Sequence, residues 1–487
     1  EQGSGQGAEC EPIDQNKLLV AMAESSYAVA KEKCDDKAGN SKDVCVQEAK
    51  AEETKALADH VATVLVWATV LTSLVGIVAS PLLILWIMGR PDDTPQAFDA
   101  AVVMTQCMFP YIACMSFVAL AGGILNTWRQ FKIPAFTPVL LNISFILASL
   151  VLVNYLEQPI YAMAAAVCVG GLLQVGIQIP ALKQIGMLPR ISMNPLRALR
   201  DPGVMRMLRK MGPAVFAVSA AQISLLINTS IASRLAEGSV SALSYADRLM
   251  EFPTAMLGVA LGTVLLPSLS TASVDEDHAE YSALLNWGLR LTFLLALPAA
   301  VGLATLAEPM IATLFHYGKF TATAVHSSAM PLVAYSVGLL GIILVKTLAP
   351  AFYARQDVRT PVRIAVGVLV ATQLMNLVFV PVFAVAGLAL SIGMGACINA
   401  GFLYTGLRRR GIYVPQAGWI RFFLKLAVAV SVMGALSWYC ASQLDWAAMQ
   451  ATPWLRAGAL FAIVAASGAT YFTVLFALGF RLGDFKR

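Results

Sequence analysis

Charged residues are scarce in this sequence, and their scarcity excludes most soluble classes of protein. Asp, Glu, Lys and Arg make up 13% of the 487 residues, and hydrophobic residues make up 58%. A soluble globular chain carries about a quarter charged and about half apolar residues. The composition therefore predicts an integral membrane protein. The net charge of +5 is small and the basic residues are scattered through loops, so no nucleic-acid partner is expected.

Motifs of nucleotide hydrolysis and of hydrolytic catalysis are also missing. The sequence contains no G-x-x-x-x-G-K-[ST] loop, no G-x-S-x-G turn and no H-E-x-x-H pair. The four histidines are isolated, so no metal site is expected. Cys107 and Cys114 are seven residues apart, and packing explains them better than chemistry does. We therefore predict neither an enzyme activity nor a cofactor.

Long runs without a single charge recur through the chain from Val61 onward. Each is near or above the roughly 18–20 residues that a helix needs to cross a hydrocarbon core. These runs are 61–89, 101–125, 133–156, 159–182, 211–233, 426–444 and 457–480, with a longer run at 364–407 that breaks near Pro381 into two. Spans around 241–271, 284–315 and 327–354 bring the total to about twelve. The predicted fold class is an all-α polytopic membrane protein, since lipid-facing strands would show alternating polarity.

Lys and Arg concentrate in alternate loops, such as "NTWRQFKIP", "YARQDVRTPVR" and "LRRRGIYVPQAGWIRFFLK". Cytoplasmic loops carry an excess of these residues, so the pattern places both chain ends in the cytoplasm. The longest basic loop covers 183–210. Within it, 196–209 fits either a basic helix on the membrane surface or a solvated linker.

Two pairs of similar segments indicate an internal repeat. "WRQFKIPAF" at 128–136 resembles "ARQDVRTPV" at 354–362, and "LKQIGMLP" at 182–189 resembles "LRRRGIYVP" at 407–415. Both copies lie on the same predicted side, which predicts two parallel lobes with a substrate bound between them, as in transporters. Chance similarity between short basic loops is the alternative.

The stretch "SYADRLMEFP" places three charged residues, Asp247, Arg248 and Glu251, inside an apolar segment. A charge at mid-membrane costs about 2.5–3.5 kcal/mol and therefore tends to face a cavity. On a helix, Asp247 and Glu251 share one face, and Arg248 lies within reach of Glu251. Gly258 and Gly262 would let a neighbouring helix approach closely. A purely structural salt bridge is the alternative to a binding role.

Lys346 is a second intramembrane cation, and its own helix contains no acid. Its depth in the run favours a cavity position over snorkelling to the membrane interface. Arg290 and Glu308 lie nearer helix ends, where we expect them to anchor at the interface.

Several of these segments together resemble the bacterial lipid II flippases, the MurJ/MviN-like family of the multidrug, oligosaccharidyl-lipid and polysaccharide exporter superfamily. The resemblance runs from about Val61 to the C-terminus. It rests on "GGILNTWRQFKIPAFTPVLLNIS", "QISLLINTSIAS", "SYADRLMEFPTAMLGVALGTVLLPSLS", "LLNWGLRLTFLLALP", "LFHYGKFTA", "VKTLAPAFYARQD" and "QAGW".

The resemblance implies two six-helix lobes and two added C-terminal helices, at about 419–442 and 454–480. It also implies flipping of the undecaprenyl-pyrophosphate-linked peptidoglycan precursor across the inner membrane by alternating access, for cell-wall synthesis. The expected partners are that precursor, membrane lipids and the cell-wall synthesis machinery. The substrate-binding roles in the cavity carry over to four residues, Asp247, Arg248, Glu251 and Lys346.

The chain departs from the family pattern at its front. Residues 1–60 are polar and resemble a small periplasmic helical-hairpin protein, with Cys34 and Cys45 spaced for a disulfide. They replace the two helices that the family carries before Val61, so we interpret them as a fused segment; a natural variant is the alternative. The loop charges place this end of the chain in the reducing cytoplasm, which conflicts with a disulfide.

This departure sets the predicted domains and the alternative functions. The domains are the polar segment 1–60, a truncated first lobe 61–182, a basic cytoplasmic linker 183–210, a second lobe 211–408 and the C-terminal helices 409–487. A lobe lacking two helices is expected not to flip lipid II by itself. The alternatives are therefore a non-transporting cell-wall scaffold, or a drug or polysaccharide exporter of the same superfamily.

Overall fold

A computed structural model of the chain describes residues 40–89, 95–156, 158–274, 278–355 and 357–480, and all regular elements in these ranges are helical. The α-helices are α1 (Asn40–Met88), α2 (Pro95–Met108), α3 (Tyr111–Thr127), α4 (Lys132–Leu150), α5 (Tyr161–Gln184), α6 (Pro195–Leu199), α7 (Pro202–Ser233), α8 (Ser239–Val274), α9 (His278–Thr305), α10 (Ala307–Phe315), α11 (Ala322–Tyr353), α12 (Arg359–Phe383), α13 (Val385–Arg409), α14 (Trp419–Ser442) and α15 (Pro453–Ala477). The predicted all-α class is confirmed. The proposed Cys34–Cys45 disulfide lies outside the described residues.

Ten helical stretches of the described residues are long and apolar enough to cross a membrane. The other two expected spans, 211–233 and 241–271, fall in α7 and α8, which include side chains that the structure does not describe. The expected break near Pro381 is confirmed, because α12 ends at Phe383 and Ala384 adopts a positive φ of 49°.

The expected single span 284–315 is wrong, because it consists of two helices. The first, α9, ends at Thr305, and α10 begins at Ala307. Pro309 explains the break: it has no N–H to donate to the carbonyl of Thr305, and its ring would clash with that carbonyl in a continuous helix.

The helices form two compact units, which divide inside α7 between Phe216 and Ala217. In the first unit, α5 packs against α2, α3 and α4. In the second unit, α11 is the central helix and packs against α8, α9 and α13. The domain boundaries proposed from composition stay predictions, and the one at 60/61 falls inside the continuous helix α1.

Small residues allow the closest helix packing in the second unit. A Cβ atom on Gly338 of α11 would overlap the backbone of Gly393 on α13, and one on Gly341 would lie 2.5 Å from the backbone nitrogen of Cys397. Close backbone approach through small residues is a common basis of helix association in membranes. The α11–α13 interface therefore depends on these glycines.

The basic connection 183–210 does not contain one surface helix over 196–209, so that alternative is wrong. The short helix α6 ends at Leu199, and α7 begins at Pro202. Asp201 separates them and caps α7, since its Oδ1 accepts the N–H groups of Gly203 at 2.8 Å and Val204 at 3.1 Å. Side-chain capping of this kind satisfies N–H groups that have no partner within the helix.

The linker 183–210 makes several polar contacts with α1. His60 Nδ1 lies 3.1 Å from Asp201 Oδ2, and the N–H of Ser192 donates to Thr63 Oγ1 at 3.0 Å. Trp67 Nε1 donates to the carbonyl of Ser192 at 3.1 Å. The linker is therefore held along the first turns of the membrane-spanning part of α1.

The second pair of repeated segments folds into the same turn in both copies. Gly186 and Gly411 follow α5 and α13, and each has a φ of +69°. In both copies the next residue donates its N–H back to a leucine carbonyl: Met187 to Leu182 at 2.9 Å, and Ile412 to Leu407 at 3.1 Å. This pattern ends a helix through a glycine in the left-handed region. The shared geometry supports the internal repeat.

Asp357 closes the turn between α11 and α12 in the second unit. Its Oδ2 accepts hydrogen bonds from Thr360 Oγ1 and from Arg410 Nη1, both at 2.6 Å. The hydroxyl of Thr360, and after it the guanidinium of Arg410, lower the pKa of Asp357 from 3.8 to about 2. The turn is thereby joined to the C-terminal end of α13.

We expect this contact to make stability depend on pH in the acid range. A carboxylate whose pKa is lower in the folded state stabilises the fold above its unfolded pKa, and that stabilisation is lost as the pH falls through the folded value. Stability should therefore fall between about pH 4 and pH 2. Asp357→Asn should remove this dependence and cost about 1 kcal/mol or less at neutral pH, because the Arg410 side chain is 47% exposed and water screens the ion pair. Unfolding midpoints of the detergent-solubilised protein would measure both effects; an unchanged pH profile in the variant would contradict the assignment.

Candidate functional site

The charged triplet lies on α8, and its members have different partners. Arg248 Nη1 donates to Glu251 Oε2 at 3.1 Å, so the predicted neutralisation within one turn is present. The side chain of Arg248 is 77% exposed and that of Glu251 is 60% exposed. Because an exposed ion pair stabilises a fold by about 1 kcal/mol or less, this pair is poorly explained as a structural element alone.

Asp247 lines a cavity of about 680 Å³ formed by α7, α8, α11, α12 and α13. Arg248 and Glu251 are not among the residues that line it. All three residues of the expected cluster are exposed on α8. Asp247 is the one that also borders the cavity of the second unit.

Lys346 packs its aliphatic stem against α8. Its Nζ donates to the backbone carbonyl of Thr254 at 3.4 Å, and its side chain occupies the space that a Cβ on Gly258 would need. A Cβ on Gly262 would lie 3.6 Å from the carbonyl oxygen of Lys346. The expected close approach of a neighbouring helix at the two glycines is thus confirmed. That helix is α11, and Lys346 is its contacting residue. The side chain is half-buried.

The two positively charged groups lie at different positions along α8: Arg248 belongs to this helix, and the ammonium of Lys346, from α11, contacts Thr254. Thr254, the partner of Lys346, follows Arg248 by six residues, which is about 9 Å along a helix axis. No ion pair joins Lys346 to an acid within the described part of the chain. Two of the three N–H groups of its ammonium remain for another acceptor. One exposed guanidinium of α8 and one half-buried ammonium of α11 are therefore available beside this helix.

A network of uncharged polar side chains lies beside the cavity and was not predicted from the sequence. Gln373 Nε2 donates to Ser224 Oγ at 2.9 Å, and Asn376 Nδ2 donates to Asn228 Oδ1 at 2.9 Å. The network joins α7 to α12. The signal was present in "QISLLIN" and "TQLMN", where polar residues recur four and three positions apart inside apolar runs.

Two carbonyl oxygens of this region have no partner among the described residues. The Oδ1 atoms of Asn376 and Asn399 are buried and accept no hydrogen bond. Asn399 also lines the cavity that contains Asp247. Buried polar atoms are normally satisfied, so the network has acceptor capacity that the described side chains do not use.

The arrangement on α8 suits recognition of an anionic group that carries several oxygens. An arginine guanidinium offers planar paired donors that match phosphate oxygens, and a lysine ammonium adds a point charge. Both act more strongly next to apolar surroundings than in water, because the local dielectric constant is lower. The geometry therefore fits a phosphate-bearing ligand better than a neutral one.

Solved structures show which class of protein has this fold. A lipid II flippase MurJ in an inward closed conformation aligns with 95% of this chain and 90% of its own, with a TM-score of 0.72 and 20% identity. A multidrug resistance MATE family transporter of the MOP superfamily, in an inward-facing conformation, aligns with 81% of this chain and 88% of its own, with a TM-score of 0.63 and 15% identity. The fold is that of polytopic membrane transporters.

Sequence comparison identifies the family within this class. A family model described as "Lipid II flippase MurJ" matches residues 44–455. The lipid II flippase MurJ of Burkholderia cenocepacia is 54% identical over 436 residues, covering 90% of this chain and 84% of the relative. A probable lipid II flippase MurJ of Vibrio cholerae is 40% identical over 82% of this chain and 75% of the relative. The chain belongs to the lipid II flippase MurJ family.

The family match begins before the position expected from the sequence. We expected the resemblance to start at about Val61, but the match to the family model starts at residue 44. The first part of α1, which we had placed in the polar segment 1–60, therefore lies within the family pattern.

Proposed function

We propose that this protein flips lipid II, the lipid-linked peptidoglycan precursor, across the bacterial inner membrane for cell-wall synthesis. The observation that carries the proposal is the 54% identity over 436 residues to a lipid II flippase, a match that covers most of both chains. The ten apolar helices fit a multi-pass membrane protein. The cell-wall synthesis machinery would receive the precursor on the opposite face of the membrane.

In this proposal the four residues predicted from the sequence serve the pyrophosphate of the substrate. Arg248 would bind its oxygens directly, because its guanidinium is exposed and has free donors beside the bond to Glu251. Lys346 would contribute a second positive charge from a half-buried position on α11. Glu251 would hold the guanidinium in place, and Asp247 would keep the neighbouring cavity polar.

A flipping assay in reconstituted vesicles tests the proposal. Vesicles loaded with lipid II and this protein should expose the lipid to an external enzyme or probe faster than protein-free vesicles do. Competition by a lipid-linked pyrophosphate, and no competition by cationic drugs, would separate this function from drug export. Vesicles that expose lipid II no faster than protein-free ones would overturn the proposal and favour a scaffold role.

The loop charges support a cytoplasmic position for the C-terminus and for the linker 183–210. Met193 suits a labelling test, because it is 84% exposed, whereas the neighbouring Asn194 caps α6. In a cysteine-free background, a cysteine at position 193 should resist an impermeant reagent in intact cells. A cysteine in place of the exposed Glu237, in the loop between α7 and α8, should react readily. The reverse pattern of labelling would overturn the orientation.

A further inference from the structure

A cationic groove of about 540 Å³ lies in the second unit, apart from the triplet on α8. Its walls come from α9, from the segment that precedes α14, from the first turns of α14 and from the residues after α15. The lining residues with polar or charged groups are Asn286, Trp287, Arg290, Gln416, Arg421 and Lys425. Three of them are cations, and no described lining residue is acidic.

Arg290 is the inner cation of this groove and is held in one orientation. Its Nη2 donates to the carbonyl of Ala417 at 3.0 Å, and its guanidinium lies over the ring of Trp419 at 5.4 Å. Its Nε is buried and has no partner among the described residues. Because buried donors are normally satisfied, this atom points to an acceptor that the described residues do not supply.

The segment before α14 is fixed by hydrogen bonds to Asn286 of α9. Asn286 Nδ2 donates to Gln416 Oε1 at 2.8 Å, and its Oδ1 accepts from Trp419 Nε1 at 3.0 Å. Gly418, the residue before α14, has a φ of +95° and provides no side-chain cap. The first N–H groups of α14 are thus left for an external acceptor beside the three cations.

The outer part of the groove combines charge with apolar surface. Lys425 Nζ lies 5.7 Å from the centre of the Phe480 ring, and the neighbouring Arg421 is exposed. On α14 the apolar side chains of Ile420 and Leu424 are also exposed. Free phosphate would use only the cations, whereas an anionic lipid would also place its acyl chains along this apolar face.

We propose that this groove binds the phosphate headgroup of an anionic glycerophospholipid at the membrane surface, on the side of the basic loops. The headgroup phosphate would accept from Arg290, Arg421 and Lys425 and from the start of α14. The acyl chains would run along α14, which is apolar enough to cross the membrane. This site is separate from the proposed pyrophosphate site on α8 and does not depend on it.

The test compares lipid binding by the delipidated protein and two double variants, using native mass spectrometry. R421Q/K425Q removes two groove cations, and R359Q/R363Q removes two exposed cations of α12 that do not line the groove. Each basic group near a membrane surface contributes about fivefold to binding of anionic lipid. We expect phosphatidylglycerol affinity to fall roughly twentyfold in R421Q/K425Q and to change little in R359Q/R363Q. Unfolding midpoints in phosphatidylcholine should match wild type for both variants.

Several results would overturn the inference. They are equal binding of phosphatidylcholine and phosphatidylglycerol, equal loss of affinity in both double variants, unchanged affinity in R421Q/K425Q, and complete displacement of the lipid by inorganic phosphate. The last would indicate a free-anion site. A groove variant that loses undecaprenyl pyrophosphate but keeps phosphatidylglycerol would likewise contradict it. The lipid-binding experiment does not measure flipping of lipid II, so its result is independent of the result of the flipping assay.

Discussion

Arg248→Ala is expected to abolish lipid II flipping while the protein stays folded. The guanidinium is 77% exposed and makes one ion pair, so its loss should cost about 1 kcal/mol or less of stability. If it binds the pyrophosphate, the same change removes a charge-assisted pair of hydrogen bonds from the substrate complex. Flipping rates in vesicles, measured with the unfolding midpoint of each variant, would show both effects.

Glu251→Gln is the matched control, because it breaks the same ion pair and leaves the cation in place. It should retain much of the flipping rate. Lys346→Ala should lower the rate without abolishing it, since Arg248 would remain. If Glu251→Gln were as damaging as Arg248→Ala, the pair would be structural and the proposed role of Arg248 would fail. Full activity of Arg248→Ala would also exclude the role.

Gly338→Ala is expected to destabilise the second unit strongly. The added Cβ would overlap the backbone of Gly393 and lie 2.8 Å from its carbonyl oxygen. Backbone cannot rotate away as a side chain can, so α11 and α13 would have to separate. We expect a loss of at least about 3 kcal/mol, the upper end of the usual cost of overpacking. The unfolding midpoint and the yield of folded protein in membranes would measure it.

Gly401→Ala on α13 provides the comparison for this change. No atom lies within 4 Å of a Cβ at that position, and alanine favours helix by about 1 kcal/mol over glycine. Its stability should equal or exceed that of the wild type. Similar stability of the two variants would show that α11 and α13 do not depend on backbone contact at Gly338.

Arg248 and Gly338 affect different properties of the second unit, namely substrate binding and helix packing. Arg248 lies on an exposed face of α8, where a substitution can change binding without changing packing. Gly338 lies in the contact between α11 and α13, where a substitution changes packing first. A combined loss of stability and flipping is therefore expected only for Gly338→Ala.

The sequence alone determined the class, the family and most of the helical spans. Uncharged runs of membrane length predict helices directly, because in lipid a helix satisfies its backbone hydrogen bonds within one segment. Charged side chains are costly in lipid, so Asp247, Arg248, Glu251 and Lys346 stand out against their apolar surroundings. The Arg248–Glu251 pair was also predictable, since it joins residues three positions apart on one helix.

Only the tertiary structure decided which distant groups meet. Gln373 and Ser224 are 149 residues apart, and Arg290 and the carbonyl of Ala417 are 127 residues apart. Periodicity within a segment shows which residues share a helix face, but the choice of neighbour depends on how helices pack. The cavity beside Asp247, the contact of Gly338 with Gly393, and the cationic groove beside α14 all depend on that packing.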